Sequence, residues 1–232
     1  MAQAAEFRHR AHEVSRIEAF SDVIFGFAIS LLVVSLEAPK SYAEMMEMLR
    51  GFVPFAISFF ILIDIWFEHH DFFKRYALQD RTTMFLNTAL LFVVLFYVYP
   101  LKFMFSRLAM QLRGEHADLP TGGTSTLFTV YGLGVFAVFG ILAMMFGHAY
   151  RKRDELDLNG YERIDTRASI YDNASMAAFG LLSLILAHTQ LIGLAGFVYF
   201  LIAIPKTIIP TVMRTKRRQY EMVTSPTTSA ST

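Results

Sequence analysis

The chain has 232 residues, 54% of them hydrophobic and 15% aromatic, with a formal net charge of +1 and no cysteine. The near-neutral balance excludes a nucleic-acid binder driven by gross charge, and the missing thiols exclude disulfides, cysteine-ligated zinc, iron–sulfur clusters and thiol catalysis. The apolar residues fall in long, almost uncharged runs, which places the chain in the membrane class.

The opening MAQAAEFRHRAHEVSR lacks the apolar core of a signal peptide. Residues 1–15 therefore read as a cytoplasmic N-terminal segment, and the first hydrophobic run is expected to stay in the mature protein. Six spans follow, at about 17–37, 51–68, 83–105, 124–150, 168–187 and 190–213. Each is long enough to cross ~30 Å of hydrocarbon at ~1.5 Å per residue. The second is the weakest, because Pro54 and Asp64 interrupt FVPFAISFFILIDIWF. In the fourth, Gly140, Ala143 and Gly147 form a small-residue stripe suited to close packing. The short AHTQLIG makes the fifth and sixth a tight hairpin. Residues 16–213 thus read as one transmembrane domain, and 214–232 as a basic stretch running into a small, polar, disordered tail. Lipid leaves no backbone group unsatisfied and period-2 patterning is absent, so the expected fold class is an all-α polytopic membrane protein. Of 21 Lys and Arg residues, 15 fall on the side of the N-terminus under this topology and five on the other. Both termini are therefore expected in the cytosol of a cell-membrane protein.

The first span, RIEAFSDVIFGFAISLLVVSLEAPK, carries Arg16, Glu18, Ser21 and Asp22 in its first two turns. An Asp in hydrocarbon costs roughly 2.5–3.5 kcal/mol on insertion scales. At about 100° per residue, Val23, Ser30, Leu31 and Val34 fall within about 60° of Phe27, whereas Ser21 and Asp22 fall on the far side. Read from the residues alone, two accounts stay open. In one, Arg16 snorkels to lipid phosphates, Asp22 pins two helices and the Phe27 stripe packs on a neighbour; in the other, the two faces carry function. Elsewhere, Asp64 is either a proton-relay carboxylate or a pairing partner for a neighbouring helix. His69 and His70 point about 100° apart, poorly placed to share a metal, and near a cytoplasmic face they suit pH sensing instead. No catalytic pair, phosphate loop or metal-binding motif points to an enzyme or a cofactor.

Arg16-Ile-Glu-Ala-Phe20-Ser21-Asp22 at the start of a first transmembrane helix resembles the signature of the transmembrane protein 175 family, the endosomal and lysosomal potassium channels. The continuation to Pro39 resembles the family too. So do Trp66-Phe-Glu-His69-His70 at the end of the second span, and Asn87 and Pro100 in the third. The motifs cover roughly residues 14 to 105. For a short single-repeat chain, the resemblance implies a homotetramer whose four first helices surround a central pore without a carbonyl filter. The family's constricting aliphatic falls on Phe27, where Ile or Leu is usual, its hydroxyl on Ser30, and its next apolar layer on Val34 beside Leu31. A small rotation would make Val23 or Leu31 the narrowest point. Behind the pore, Arg16, Phe20, Ser21 and Asp22 are expected to meet Trp66, His69, His70 and Asn87 and lock the helix in place. The implied function is a potassium-permeable channel, moderately selective over sodium, whose partners are the bilayer, monovalent cations and its own copies, and whose only ligand is the permeating ion. The alternative is a proton- or ion-coupled carrier using Asp64 and Asp22.

Overall fold

A computed structural model describes residues 7–11, 13–34, 38–112 and 123–189. These hold helices α1 (Arg16–Val34), α2 (Tyr42–Arg50), α3 (Phe52–Tyr76), α4 (Arg81–Leu112), α5 (Gly123–Arg151) and α6 (Gly160–Ala187). All but α2 are long and apolar enough to cross a membrane, which gives five candidate spans among the described residues. The expected sixth span, 190–213, and the tail lie outside them.

Each boundary has a local cause. α2, absent from the sequence expectation, begins where Ser41 Oγ accepts from Glu44 N (3.2 Å) and Glu44 Oε2 reaches back to Lys40 N (2.7 Å). This is a capping box shifted by one residue. None of its side chains is buried, so it is an accessory element that leads into α3 through Gly51. Pro54 does not interrupt α3: it sits in the first turn, where an N–H has no intrahelical partner in any case, and the helix runs unbroken past Asp64 to Tyr76. There Ala77 takes a left-handed φ of 50° and donates to Phe73 O. Asp80 then opens α4 by accepting from Thr83 N and Oγ1 (2.9 and 2.6 Å), and it also pairs with His148 Nε2 (2.7 Å) at the end of α5. α6 starts eight residues before the predicted 168, because Asn159 and Glu162 form a reciprocal capping box.

α5 and α6 make the most extensive pairing, and α1 lies against α4 and α3. The close approach of α5 to α6 occurs at Gly132 and Gly180, where an added Cβ would sit 2.7 Å and 2.8 Å from the opposite glycine's carbonyl. At Gly140 and Gly147 an added Cβ meets nothing within 4 Å. Gly140 and Gly147 therefore make no close helix–helix contact among the described residues. The core gathers Phe25, Ala28 and Leu32 of α1, Leu62, Phe72 and Phe73 of α3, Leu90 and Val94 of α4, and Leu142 and Phe146 of α5.

The segment before α1 is tied to the same end of the bundle. Arg10 N donates to Lys74 O (3.2 Å), and Phe7 packs edge-on against Tyr76. Both Arg8 and Arg10 pair with the fully buried Glu162 carboxylate, at 3.0 and 2.9 Å.

Candidate functional site

α1 is divided lengthwise. Glu18, Ser21, Phe25, Ala28 and Leu32 are buried, spaced three and four residues apart as one helical face demands. Opposite them, Val23, Phe27 and Val34 are 67%, 53% and 73% exposed, Ser30 is exposed and Leu31 is half-buried. Ser30 Oγ donates to Gly26 O (2.9 Å), so the lone pairs of the hydroxyl are directed off the helix.

The buried face is held by a hydrogen-bonded chain whose directions can be assigned. Ser21 Oγ donates to Ile17 O (2.7 Å) and so accepts from Asn87 Nδ2 (2.9 Å). Asn87 then turns Oδ1 toward His69 Nε2 (2.7 Å), which must carry the proton. Ser21, Asn87 and His69 are all buried, and the imidazole lies between the rings of Phe25 and Phe73, 5.3 and 4.8 Å away. His69 Nδ1 is buried with no hydrogen-bond partner among the described residues. One turn along, Trp66 Nε1 donates to Asp22 Oδ1 (2.8 Å), and its indole stacks on His70 at 5.5 Å and 27°. His70 Nδ1 faces Glu18 Oε1 at 3.6 Å. The adjacent histidines thus serve different helices, as their ~100° separation requires.

Of the predicted anchoring set, Ser21, Asp22, Trp66, His69, His70 and Asn87 are brought together. Arg16 and Phe20 are not: both are exposed. At about 100° per residue they fall within about 20° of Phe27, on the opposite side from Ser21, so their assignment to the inward face is corrected. Glu18 is the residue missed. Only 4% exposed, it belongs to the Ser21–Phe25 face, and its charge within an apolar run was the available signal.

A bundle of membrane-length helices, its N-terminal helix pinned by polar groups on one side and apolar and uncovered by the described residues on the other, defines an all-α polytopic membrane protein. Comparison with known proteins gives the family. Residues 16–97 match the model of the endosomal/lysosomal potassium channel TMEM175. A potassium channel of Marivirga tractuosa is 41% identical over 212 residues, covering 84% of this chain and 85% of that protein. One of Streptomyces collinus is 27% identical, covering 77% and 94%. The crystal structure of the potassium channel MtTMEM175, in complex with a Nanobody-MBP fusion protein, superposes with a TM-score of 0.79 at 36% identity, covering 93% of this chain and all of that one. A TMEM175 homologue from Chamaesiphon minutus shares the fold, with a TM-score of 0.59 at 22% identity over 89% of this chain and 99% of that one. The chain belongs to the TMEM175 potassium channel family, which places it among channels rather than enzymes.

Proposed function

We propose that this chain is a potassium-permeable channel in which four copies of α1 line a central pore, with Phe27 forming the constriction, Val23, Leu31 and Val34 the flanking apolar layers, and Ser30 a ring of hydroxyls. The observation that carries this reading is the division of α1. Ser21 and Asp22 hold one face to Asn87 and Trp66 of the same chain, while the Val23–Phe27–Ser30–Val34 stripe has no cover among the described residues. The relatives named as potassium channels support the ion assignment.

A narrow ring of apolar side chains gates by dewetting, because an ion passing it sheds water without gaining ligands. The outward lone pairs of Ser30 supply a few dipoles where hydration is disturbed. Potassium is the more easily dehydrated ion, so such a site favours it over sodium, but less than a carbonyl cage does, and a sodium leak follows. Basic residues concentrated on the N-terminal side put both termini in the cytosol of a cell membrane. The carrier alternative would use Asp64 and Asp22, and of these Asp22 Oδ1 is tied to α3 by the Trp66 indole N–H.

The test is potassium-versus-sodium flux in liposomes for the wild type, Phe27→Ala and Ser30→Ala. Phe27→Ala is expected to raise total flux and Ser30→Ala to lower the potassium-to-sodium ratio. Wild-type rate and ratio in both variants would exclude this pore face.

A further inference from the structure

Where α5 gives way to α6, two guanidiniums rest on one tyrosine. The Arg153 and Arg167 centres lie 5.2 and 4.9 Å from the centre of the Tyr150 ring. Arg167 Nε donates to the Tyr150 hydroxyl (2.7 Å), and its two terminal nitrogens have no hydrogen-bond partner among the described residues. No carboxylate among the described residues pairs with Arg167. Arg153 Nη1 donates to Tyr150 O (3.3 Å) and its Nη2 approaches Asp154 only at 3.7 Å, and that carboxylate is already bound by Arg163 at 2.8 Å and is 70% exposed. One solvated carboxylate thus stands against three guanidiniums. With a single solvated carboxylate against them the guanidiniums repel, so an added anion is favoured here, and the planar fork suits phosphate.

The surface below the cluster gives the anion its identity. Gly140, Ala143 and Gly147 descend α5 on the side of Tyr150, within about 80° of it. At Gly140 and Gly147 an added Cβ meets nothing within 4 Å among the described residues. The α6 face below Arg167 is also exposed and apolar, with Tyr171 57% and Leu181 40% accessible. A basic crown at the end of two membrane-length helices, above small and apolar residues, complements a charged head joined to an alkyl tail.

We propose that Tyr150, Arg153 and Arg167 form a binding site for the phosphate of an anionic phospholipid, with an acyl chain lying along Gly140, Ala143 and Gly147. The site is separate from α1 and holds whether or not α1 lines the pore. Its order of magnitude follows from the usual attraction of each arginine to an anionic membrane surface: removing two weakens binding about thirtyfold.

The test uses the purified full chain in phosphatidylcholine nanodiscs, with bound lipid counted by native mass spectrometry. Phosphatidylglycerol is expected to stay bound where phosphatidylcholine does not. The Arg153→Gln/Arg167→Gln pair should weaken that binding about thirtyfold. Gly147→Leu, whose new atoms enter open space, should block it while leaving the melting temperature in phosphatidylcholine unchanged. Wild-type phosphatidylglycerol binding by either variant would overturn the proposal. So would inorganic phosphate competing as well as the lipid, which marks a free-anion site. Dissociation of the assembly by Gly147→Leu would overturn it too, since the groove would then be a contact between copies.

Discussion

Replacing Asn87 by Ala tests the anchoring network where its energetics are best defined. The Asn87 side chain is 2% exposed and makes two bonds, donating to Ser21 Oγ at 2.9 Å and accepting from His69 Nε2 at 2.7 Å. An interhelical hydrogen bond between membrane helices is worth only about 0.6 kcal/mol on average and about 1.7 at most. Loss of the Ser21 bond falls in that range, because Ser21 keeps its bond to Ile17 O. The damage at His69 is greater. Its Nδ1 already lacks a partner among the described residues, so losing the Asn87 acceptor strands a buried N–H as well, at ~1–3 kcal/mol. The sum is about 2–5 kcal/mol per protomer. The assay is the melting temperature of the purified protein, followed by tryptophan fluorescence; Trp66 is the chain's single tryptophan and sits in the same network. Asn87→Asp, which keeps an acceptor for His69, should recover most of the loss. Equal melting of wild type and Asn87→Ala would refute the chain of donors and acceptors, as would equal damage from Asp and Ala.

Trp66→Phe should cost about 1–2 kcal/mol by leaving the half-buried Asp22 carboxylate without its donor, and adding Asp22→Asn should restore part of it in thermal melts. Glu162→Gln removes the shared counter-charge of Arg8 and Arg10 yet keeps an acceptor for the α6 cap. Breaking a buried pair costs ~3–5 kcal/mol, but Arg8 is half exposed, so about 2 kcal/mol is expected, read as faster hydrogen exchange over residues 7–11. For Asp80, burial raises the carboxyl pKa, but donation from Thr83 Oγ1 and N and from His148 outweighs it and holds the group below the usual carboxylate range. A lowered native pKa stabilises the fold above the unfolded value, near ~3.9, and that contribution fades as pH falls below it. Melting temperature should therefore drop between about pH 4 and pH 2 in the wild type and less steeply in Asp80→Asn.

Periodicity and hydropathy made most of this fold legible. The ends of α1, α3, α4 and α5 near residues 16, 52, 81 and 123 lie within two residues of the starts read from the sequence. Elements that hydropathy cannot register were lost. α2 is too short and polar for a span search, and its Ser41–Glu44 cap was overlooked as a start signal. The first eight residues of α6 are polar because they pair with Arg8, Arg10 and Arg75, so a hydropathy window reads them as loop. In the candidate site the motif residues Ser21, Asp22, Trp66, His69 and Asn87 converge, since the pattern encodes donors and acceptors at one membrane level. Arg16 and Phe20 were misplaced by treating a contiguous motif as one face, when consecutive helical residues are spread around the axis. Small residues are equally ambiguous in sequence: Gly132 and Gly180 carry the α5–α6 crossing, and nothing in their spacing separates them from Gly140 and Gly147.

The two serines of α1 show why its faces need opposite chemistry. Ser21 and Ser30 each donate to the carbonyl four residues back, at 2.7 and 2.9 Å, so their intrinsic bonding is the same. They differ in what reaches the remaining lone pairs: Asn87 Nδ2 for Ser21, and no donor among the described residues for Ser30. The first oxygen is committed to holding the helix. The second keeps acceptor capacity for something from outside the protomer, and under the proposed function that is a partly dehydrated cation. The pair therefore predicts a double dissociation. Ser21→Ala should lower the melting temperature, by about 1 kcal/mol in stability for one lost hydrogen bond, with the ion ratio unchanged in whatever protein remains folded. Ser30→Ala should leave melting unchanged and lower potassium-over-sodium discrimination, and Ser30→Thr, which keeps the oxygen, should preserve it. If Ser30→Ala and Ser21→Ala shift the same observable, the distinction between an anchoring hydroxyl and a conducting one is wrong.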